Sequence, residues 1–330
     1  MTTRYKNVYV SDAYTIASVY EKDGPLANYF DKVYDKDLYY GQDTFEKAEE
    51  KLLYDSIKKL ISKVSLTNKD IDYVISGDLQ NQIAASDYAM RNINIPFVGV
   101  YSACATFGLG LFIASNFIEG KTAKNVIVST SSHNMVAERQ FRNPTEYGAP
   151  KKKTTTWTST GAASMLLTNK KSKIKISAAT CGIVRDGKIN DVNNMGAVMA
   201  IAAGDTIKRH LEDLSIGPNY YDLILTGDLG CYGKEILIDY MKEMGIDISK
   251  NYDDCGLMLY DIKKQNVFAG ASGPASSALT LCSYVLKEME NGKYNRVLIV
   301  PTGAIFSPTR VFQKDTIPSI AHAISFEVSL

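Results

Sequence analysis

The sequence has 330 residues, of which 45% are hydrophobic and 22% are charged, an ordinary composition for a globular protein. This length suits two domains, or one large domain built from two halves. Because the formal net charge is only +1, bulk electrostatic attraction to nucleic acid is excluded, and we expect no nucleic-acid partner.

The cysteines, histidines and apolar runs narrow the class of protein further. Five cysteines are scattered without a C-x-x-C pair and three histidines are present, so we expect a reduced compartment and no metal site of the protein's own. Residues 1–7 do not resemble a secretory signal, and no stretch approaches the roughly 18 apolar residues of a transmembrane helix. We expect a soluble protein, or one peripheral to a membrane.

The first predicted elements are a helix and a short strand. Apolar side chains recur at helical spacing in residues 45–61, and Asp43 and Glu46 resemble a capping box at the start of that helix. The strand in residues 72–79 reads D-Y-V-I-S-G-D-L and ends in Gly-Asp.

A strand-to-helix corner then brings the first chemically notable side chain, Cys104. Residues 95–101 predict a buried strand after a proline, and the small residues 102–105 turn into an apolar helix. Unpaired N–H groups and the helix dipole at a helix N-terminus favour an anion, which makes Cys104 a candidate nucleophile. The alternative is a small apolar cysteine in a tight turn.

Further candidates follow the strand predicted in residues 126–130. His133 comes just after it, and Arg139 and Arg142 are spaced to share one helix face. The three lysines at 151–153 predict a solvated loop, or a patch that attracts an acidic ligand.

The second half of the sequence repeats the first. Residues 222–229 read D-L-I-L-T-G-D-L, and residues 270–274 open a second apolar helix, as residues 102–105 do. A Gly-Lys pair precedes a strand in both halves. This register predicts an α/β fold of two pseudo-symmetric halves, residues 1–171 and 172–330, that pack as one rigid body.

A duplicated α/β chain with a cysteine elbow resembles the thiolase and ketoacyl-synthase superfamily. Nearly the whole chain resembles one branch of it, the stage V sporulation protein AD family of endospore-forming bacteria. The most specific match is the run E-R-Q-F-R-N-P-T-E-Y-G in residues 138–148. Other matching stretches are residues 21–26, 71–72, 77–79, 81–82, 130–134, 137, 221–229, 254–258, 303–304, 307–309 and 320–322.

The resemblance implies the thiolase-like, five-layered αβαβα fold. It also implies binding of dipicolinic acid or its calcium chelate, and a role in uptake of that acid into developing spores and its release at germination. The implied partners are other proteins of the SpoVA membrane complex at the inner spore membrane, and a homodimer is an expected assembly. No cofactor is implied, and calcium enters only as part of the ligand chelate.

Condensation chemistry in this superfamily needs histidines that are missing from the matching loops. An imidazole must handle protons and stabilise the thioester oxyanion. The two matching loops, residues 226–230 and 268–273, contain no histidine. We therefore expect Cys104 to be a vestigial nucleophile, while a residual acyl transferase, with Cys104 paired to His133, remains the alternative. We expect His210 to lie on an exposed helix face and His322 to be packed and hydrogen-bonded.

A flat pyridine with two carboxylates needs cationic or N–H donors and apolar or aromatic walls. Tyr101 and Phe306 are expected to wall the ring together with Tyr147. Internal salt bridges are the alternative for the two arginines, and helix capping is the alternative to calcium contact for Asp228, by analogy with Asp78. The predicted ligand-binding residues are Cys104, His133, Arg139, Arg142, Tyr147, Asp228, Ser272 and Gly273.

Overall fold

The computed structural model describes residues 1–141 and 150–329. The helices within these ranges are α1 (Val19–Lys22), α2 (Phe45–Lys63), α3 (Ala84–Met90), α4 (Thr106–Glu119), α5 (Asn134–Phe141), α6 (Met195–Leu214), α7 (Gly230–Glu243), α8 (Cys255–Leu259), α9 (Pro274–Thr280), α10 (Leu286–Glu290) and α11 (Pro308–Phe312). A π-helical turn, Leu281–Val285, joins α9 to α10.

Strands form one large mixed sheet and two small ones. In chain order they are β1 (Thr2–Arg4), β2 (Tyr9–Ala17), β3 (Lys32–Val33), β4 (Tyr73–Gly77), β5 (Phe97–Gly99), β6 (Asn125–Ser132), β7 (Trp157–Thr158), β8 (Gly161–Thr168), β9 (Ile174–Thr180), β10 (Leu223–Thr226), β11 (Tyr252–Asp254), β12 (Ala271–Ser272), β13 (Arg296–Val300), β14 (Thr302–Ala304), β15 (Ser319–Ala321) and β16 (Ala323–Val328).

The main sheet repeats its strand order about its centre. Its order is β11-β10-β13-β16-β9-β2-β8-β6-β4-β5, so each half runs outward through an antiparallel strand to three parallel ones. The two halves join where β2 pairs with β9 in antiparallel register. This arrangement is the duplication that the sequence predicts.

Two aspartates show the duplication in atomic detail. Asp72 Oδ2 accepts hydrogen bonds from the backbone N–H groups of Lys124 and Asn125, at 2.6 and 2.8 Å. Asp222 Oδ2 accepts from the N–H groups of residues 295 and 296, at 2.6 and 2.9 Å. The repeated D-x-x-x-x-G-D segments therefore tie equivalent strands together in both halves.

Three hydrophobic clusters separate the layers. One lies between α4 and α9 and the strands on either side of them, the second packs α2 and α3 on an outer face of the sheet, and the third packs α6 and α7 on the other outer face. Helices thus alternate with sheet in five layers, with α4 and α9 in the centre. Because α4 begins beside Cys104 and α9 beside Gly273, this central layer places both segments at one site.

Helix starts differ from the sequence predictions in detail. α2 begins after Thr44, whose side chain accepts a hydrogen bond from the Lys47 N–H, so the cap is Thr44 rather than the predicted pair Asp43 and Glu46. Helical apolar spacing in the sequence of the second half runs from Met199 to Leu214, but the helix there, α6, already begins at Met195, because Asn194 caps it by accepting from the Ala197 N–H.

The elbow that carries Cys104 depends on close backbone approach. Ala103 has φ +47°, the left-handed conformation that a non-glycine residue rarely adopts, and it opens the 3₁₀ turn Ala103–Ala105. Gly77, at the end of β4, lies against the chain that leads into this turn. A Cβ on Gly77 would be 1.8 Å from the Val100 carbonyl oxygen.

We predict that Gly77→Ala lowers the free energy of unfolding by about 3 kcal/mol, because backbone must move to admit the methyl group. The matched control is Gly217→Ala, since a Cβ there meets nothing within 4 Å. Denaturant midpoints of the two variants give the comparison. Equal midpoints would contradict the close approach at Gly77.

Candidate functional site

A cavity of about 70 Å³ opens beside Cys104, between the two halves of the fold. Its walls come from the elbow, from α5, α6 and β7, and from the loops around β10, β12 and β14. The described residues that line it are Leu79, Tyr101, Ala103, Cys104, Ala137, Phe141, Thr156, Thr158, Met195, Met199, Asp228, Ser272, Gly273, Ala304 and Phe306. Most of these side chains are apolar or aromatic.

Asp228 is the acidic group of the cavity, and it is 1% exposed. Its Oδ1 accepts a hydrogen bond from the Thr302 hydroxyl at 2.8 Å, and its Oδ2 accepts from the Gly273 N–H at 3.0 Å. Cys104 lines the same cavity, and its side chain lowers the pKa of this carboxylate. Asp228, on the loop 226–230, therefore ties that loop to the loop 268–273 and to the start of β14.

Burial raises the pKa of Asp228 to about 7, and the nearby charge of Asp254 acts in the same direction. Hydrogen bonds from Cys104, Thr302 and the Gly273 N–H lower it in part. The group thus changes charge near neutral pH. When ionised, it can accept a proton or contact a cation, and it opposes a second negative charge on the adjacent sulfur.

His133 was predicted to support the cavity, and the structure places it elsewhere. Its Nε2 lies 2.8 Å from the Leu38 carbonyl oxygen, and its Nδ1 accepts from the Met135 N–H at 3.2 Å. Its ring lies 5.3 Å from that of Phe45. Both ring nitrogens are thus committed to the backbone, and burial lowers the pKa of His133 to about 4.

The other two histidines are also fully committed. His322 is packed as predicted, with Nε2 at 3.1 Å from the Ser102 hydroxyl and Nδ1 accepting from the Gly182 N–H at 3.1 Å. His210 is 0% exposed, so the prediction of an exposed helix face is wrong. Its Nδ1 and Nε2 each lie 2.7 Å from a hydroxyl, those of Thr180 and Tyr221. His322 thus supports the elbow through Ser102.

Arg139 pairs with a carboxylate of the protein, whereas the sequence analysis proposed that it binds a carboxylate of the ligand. Arg139 Nη1 forms an ion pair with Glu46 Oε1 at 3.2 Å, and its guanidinium lies over the Phe45 ring. It is not among the described lining residues, so the internal salt bridge is the outcome, with Glu46 as partner. Arg142 and Tyr147 lie outside the described residues.

The lysine run pairs with carboxylates on its own surface. Lys151 Nζ lies 2.9 Å from Glu138 Oε1 and 4.9 Å from the centre of the Trp157 ring. Lys152 Nζ lies 3.2 Å from Asp191 Oδ2. These contacts favour the surface-loop interpretation of the run.

The remaining predicted residues do lie together at the cavity. Ser272 and Gly273 line it beside Cys104 and Asp228, and Tyr101 and Phe306 form part of its wall as expected. The Gly273 N–H is committed to Asp228, however, so it is not a donor for a ligand. Gly273 has φ +91°, and a Cβ there would lie 2.9 Å from Ser132 Oγ.

Sequence analysis missed several walls of the cavity. Met195 and Met199 are one turn apart on α6, and the late predicted start of that helix hid Met195. Ala137 and Phe141 are four residues apart on α5, next to the arginines that drew attention instead. Helical spacing is the signal that would have found these pairs.

The described ranges show neither a metal-binding cluster nor a membrane-spanning helix. In residues 1–141 and 150–329, no group of three or more His, Cys, Asp or Glu side chains is arranged to hold a metal ion. Over the same ranges, no helix combines the length and apolar character needed to cross a membrane.

Comparison with known proteins gives relatives over the whole length. The sequence model of the family described as stage V sporulation protein AD (SpoVAD) matches residues 2–327. Stage V sporulation protein AD of Bacillus subtilis (strain 168) is 45% identical over 320 residues, which cover 97% of this chain and 94% of that protein.

Solved structures share the fold at low sequence identity. For 3-oxoacyl-[acyl-carrier-protein] synthase III from Aquifex aeolicus VF5, the TM-score is 0.56 at 12% identity, covering 97% of this chain and 99% of that chain. For 3-oxoacyl-(acyl carrier protein) synthase III from Xanthomonas oryzae pv. oryzae, it is 0.61 at 14% identity, covering 99% and 100%. These likenesses confirm the predicted thiolase-like fold and carry no residue roles.

Proposed function

The chain belongs to the stage V sporulation protein AD family, and from this premise we propose that it binds dipicolinic acid, or its calcium chelate, without catalysis. The proposed site is the cavity beside Cys104. Family membership and fold establish a sporulation protein of thiolase-like fold, and the ligand and its binding cavity are what we propose in addition.

The observation that carries the proposal is the buried carboxylate of Asp228 in the same cavity as Cys104, whose described lining residues include no histidine. A condensing enzyme needs an imidazole or comparable donor at the sulfur, so that a thiolate forms and an oxyanion is stabilised. Here the thiol shares its cavity with a buried carboxylate, and all three histidines of the chain are bonded through both ring nitrogens to other groups. This arrangement supports binding over acyl transfer.

The walls of the cavity suit one edge of a flat aromatic acid. Apolar contacts come from Leu79, Met195 and Met199, and aromatic rings come from Tyr101 and Phe306. Such walls exclude water from a ring, while a small number of polar groups fix its orientation. Asp228 and the hydroxyls of the cavity are polar groups of that kind.

We propose that this binding serves uptake of the acid into developing spores and its release at germination. The partners in this proposal are proteins of the SpoVA membrane complex, with this chain peripheral to the inner spore membrane. Family membership supports this assignment.

We predict that Cys104→Leu abolishes or strongly weakens binding of calcium dipicolinate, since the larger side chain fills the cavity. Isothermal titration calorimetry measures the loss. The matched control is Cys181→Leu, because Cys181 is also partly exposed but does not line the cavity. Unchanged affinity in Cys104→Leu, with the protein folded, would contradict the proposed site.

We predict that the pH dependence of binding separates the two forms of the ligand. As pH rises through about 7, Asp228 loses its proton, so affinity for the chelate should rise because calcium gains a carboxylate oxygen. Affinity for dipicolinate without calcium should fall over the same interval, because two like charges approach.

Titration calorimetry of wild type and Asp228→Asn at pH 6 and pH 8 is the measurement. The variant should lose most of the pH dependence for both forms. A wild-type affinity that is equal at both pH values for both forms would contradict the role assigned to Asp228.

A further inference from the structure

A second cavity, of about 580 Å³, adjoins the one at Cys104. The two share Tyr101, Phe141 and Phe306, and the rings of Phe141 and Phe306 meet edge to face with centres 5.6 Å apart. We call the larger cavity the vestibule. Four residues with carboxamide side chains are among those that line it: Gln80, Asn81, Gln82 and Gln140.

The sizes of the two cavities limit where a ligand can lie. A cavity of about 150 Å³ encloses benzene in a protein core. The cavity at Cys104, of about 70 Å³, is therefore too small for a pyridine ring that carries two carboxylates. One end of such a ligand fits there, and the rest must occupy the vestibule.

The vestibule also contains a strained turn. Gln82 and Ile83 have φ of +59° and +50°, so two successive non-glycine residues are left-handed. The left-handed region is unfavourable for a β-branched residue such as Ile83, and each residue of this kind costs about 1–3 kcal/mol. Surrounding structure must hold such a turn in place.

The side chains of Asp78, Glu49 and Gln140 hold the turn through hydrogen bonds. Asp78 accepts from the Gln80 N–H at 2.9 Å and from the Ser86 N–H at 2.8 Å, which brackets the left-handed pair. Glu49 Oε2 accepts from Gln80 Nε2 at 3.0 Å. Gln140 Oε1 accepts from the Asn81 N–H at 3.0 Å, and its Nε2 donates to the Leu79 carbonyl at 2.8 Å.

The two carboxylates that make these contacts are buried, and their burial costs free energy. Asp78 and Glu49 are 0% and 1% exposed. Burial raises the pKa of Glu49, and the charge of Asp78 raises it further. The buried carboxylates of Asp78 and Glu49 thus hold the strained segment 80–83 in place. Within that segment, the side chain of Gln82 is exposed and lines the vestibule.

We propose that the ligand bridges both cavities, with one carboxylate beside Cys104 and the second bound in the vestibule by the carboxamide N–H₂ of Gln82. The proposal rests on the proposed function and adds a residue that sets ligand length. Asp78, Glu49 and Gln140 are positioning residues in it, because they fix the turn. The shared aromatic residues Tyr101, Phe141 and Phe306 flank the ring between its two carboxylates.

Gln82→Gly tests the proposal without adding strain, because glycine accepts the left-handed conformation and lacks the carboxamide. The matched control is Gln313→Gly, which removes an exposed carboxamide that does not line the vestibule. Calorimetry with dipicolinate, with and without excess calcium, should show affinity about tenfold lower in Gln82→Gly. Gln313→Gly should bind as wild type does, and thermal unfolding confirms that both variants are folded.

The outcomes separate this inference from the proposed function. If Cys104→Leu fails to bind while Gln82→Gly binds as tightly as wild type, the bridging pose is wrong and the proposed function stands. If wild type binds neither form of the ligand, both are overturned. A loss in Gln82→Gly equal to that in Gln313→Gly would also overturn the bridging pose.

Discussion

A buried carboxylate in the same cavity as a cysteine thiol is the constraint on which this account depends. The Cys104 elbow is built as a nucleophile site, with a left-handed Ala103 and a long apolar helix behind it. Asp228 lies on the first of the two loops that lack the expected imidazoles, and it accepts hydrogen bonds from Gly273 on the second loop and from Thr302. An ionised carboxylate there opposes the negative charge of a thiolate or an oxyanion, whereas it can contact a cation or a protonated acid.

The duplicated fold places one aspartate after each of two equivalent strands, and these two aspartates have different roles at the site. Asp78 and Asp228 follow equivalent strands, β4 and β10, in equivalent Gly-Asp-Leu segments. Asp78 binds backbone N–H groups of its own segment and stabilises the turn of the vestibule. Asp228 instead reaches the opposite loops, while Asp254 accepts the N–H groups of Leu229 and Gly230 at the start of α7. Asp78 therefore stabilises the turn of the vestibule, and Asp228 lines the cavity at Cys104.

The sequence predicted the parts of the molecule that depend on local pattern. The repeat gave the duplicated α/β fold, and Cys104, Asp228, Ser272 and Gly273 lie together because each is next to a strand end or a helix start. It did not predict the direction of side chains that reach distant segments. The ring of His133 turns to Leu38, and Arg139 turns to Glu46, because α2 and the segment before it pack over α5. The sequence also did not predict the vestibule, because its strained turn is visible only in the backbone angles.

Mass spectrometry of the intact protein after incubation with acyl thioesters tests the central claim most directly. If the carboxylate at Cys104 makes the site a receptor, the mass stays unmodified across short and long acyl groups, while calcium dipicolinate binds. An acyl adduct mapped to Cys104, formed at a rate that depends on this cysteine, would contradict the account and return the chain to the condensing enzymes.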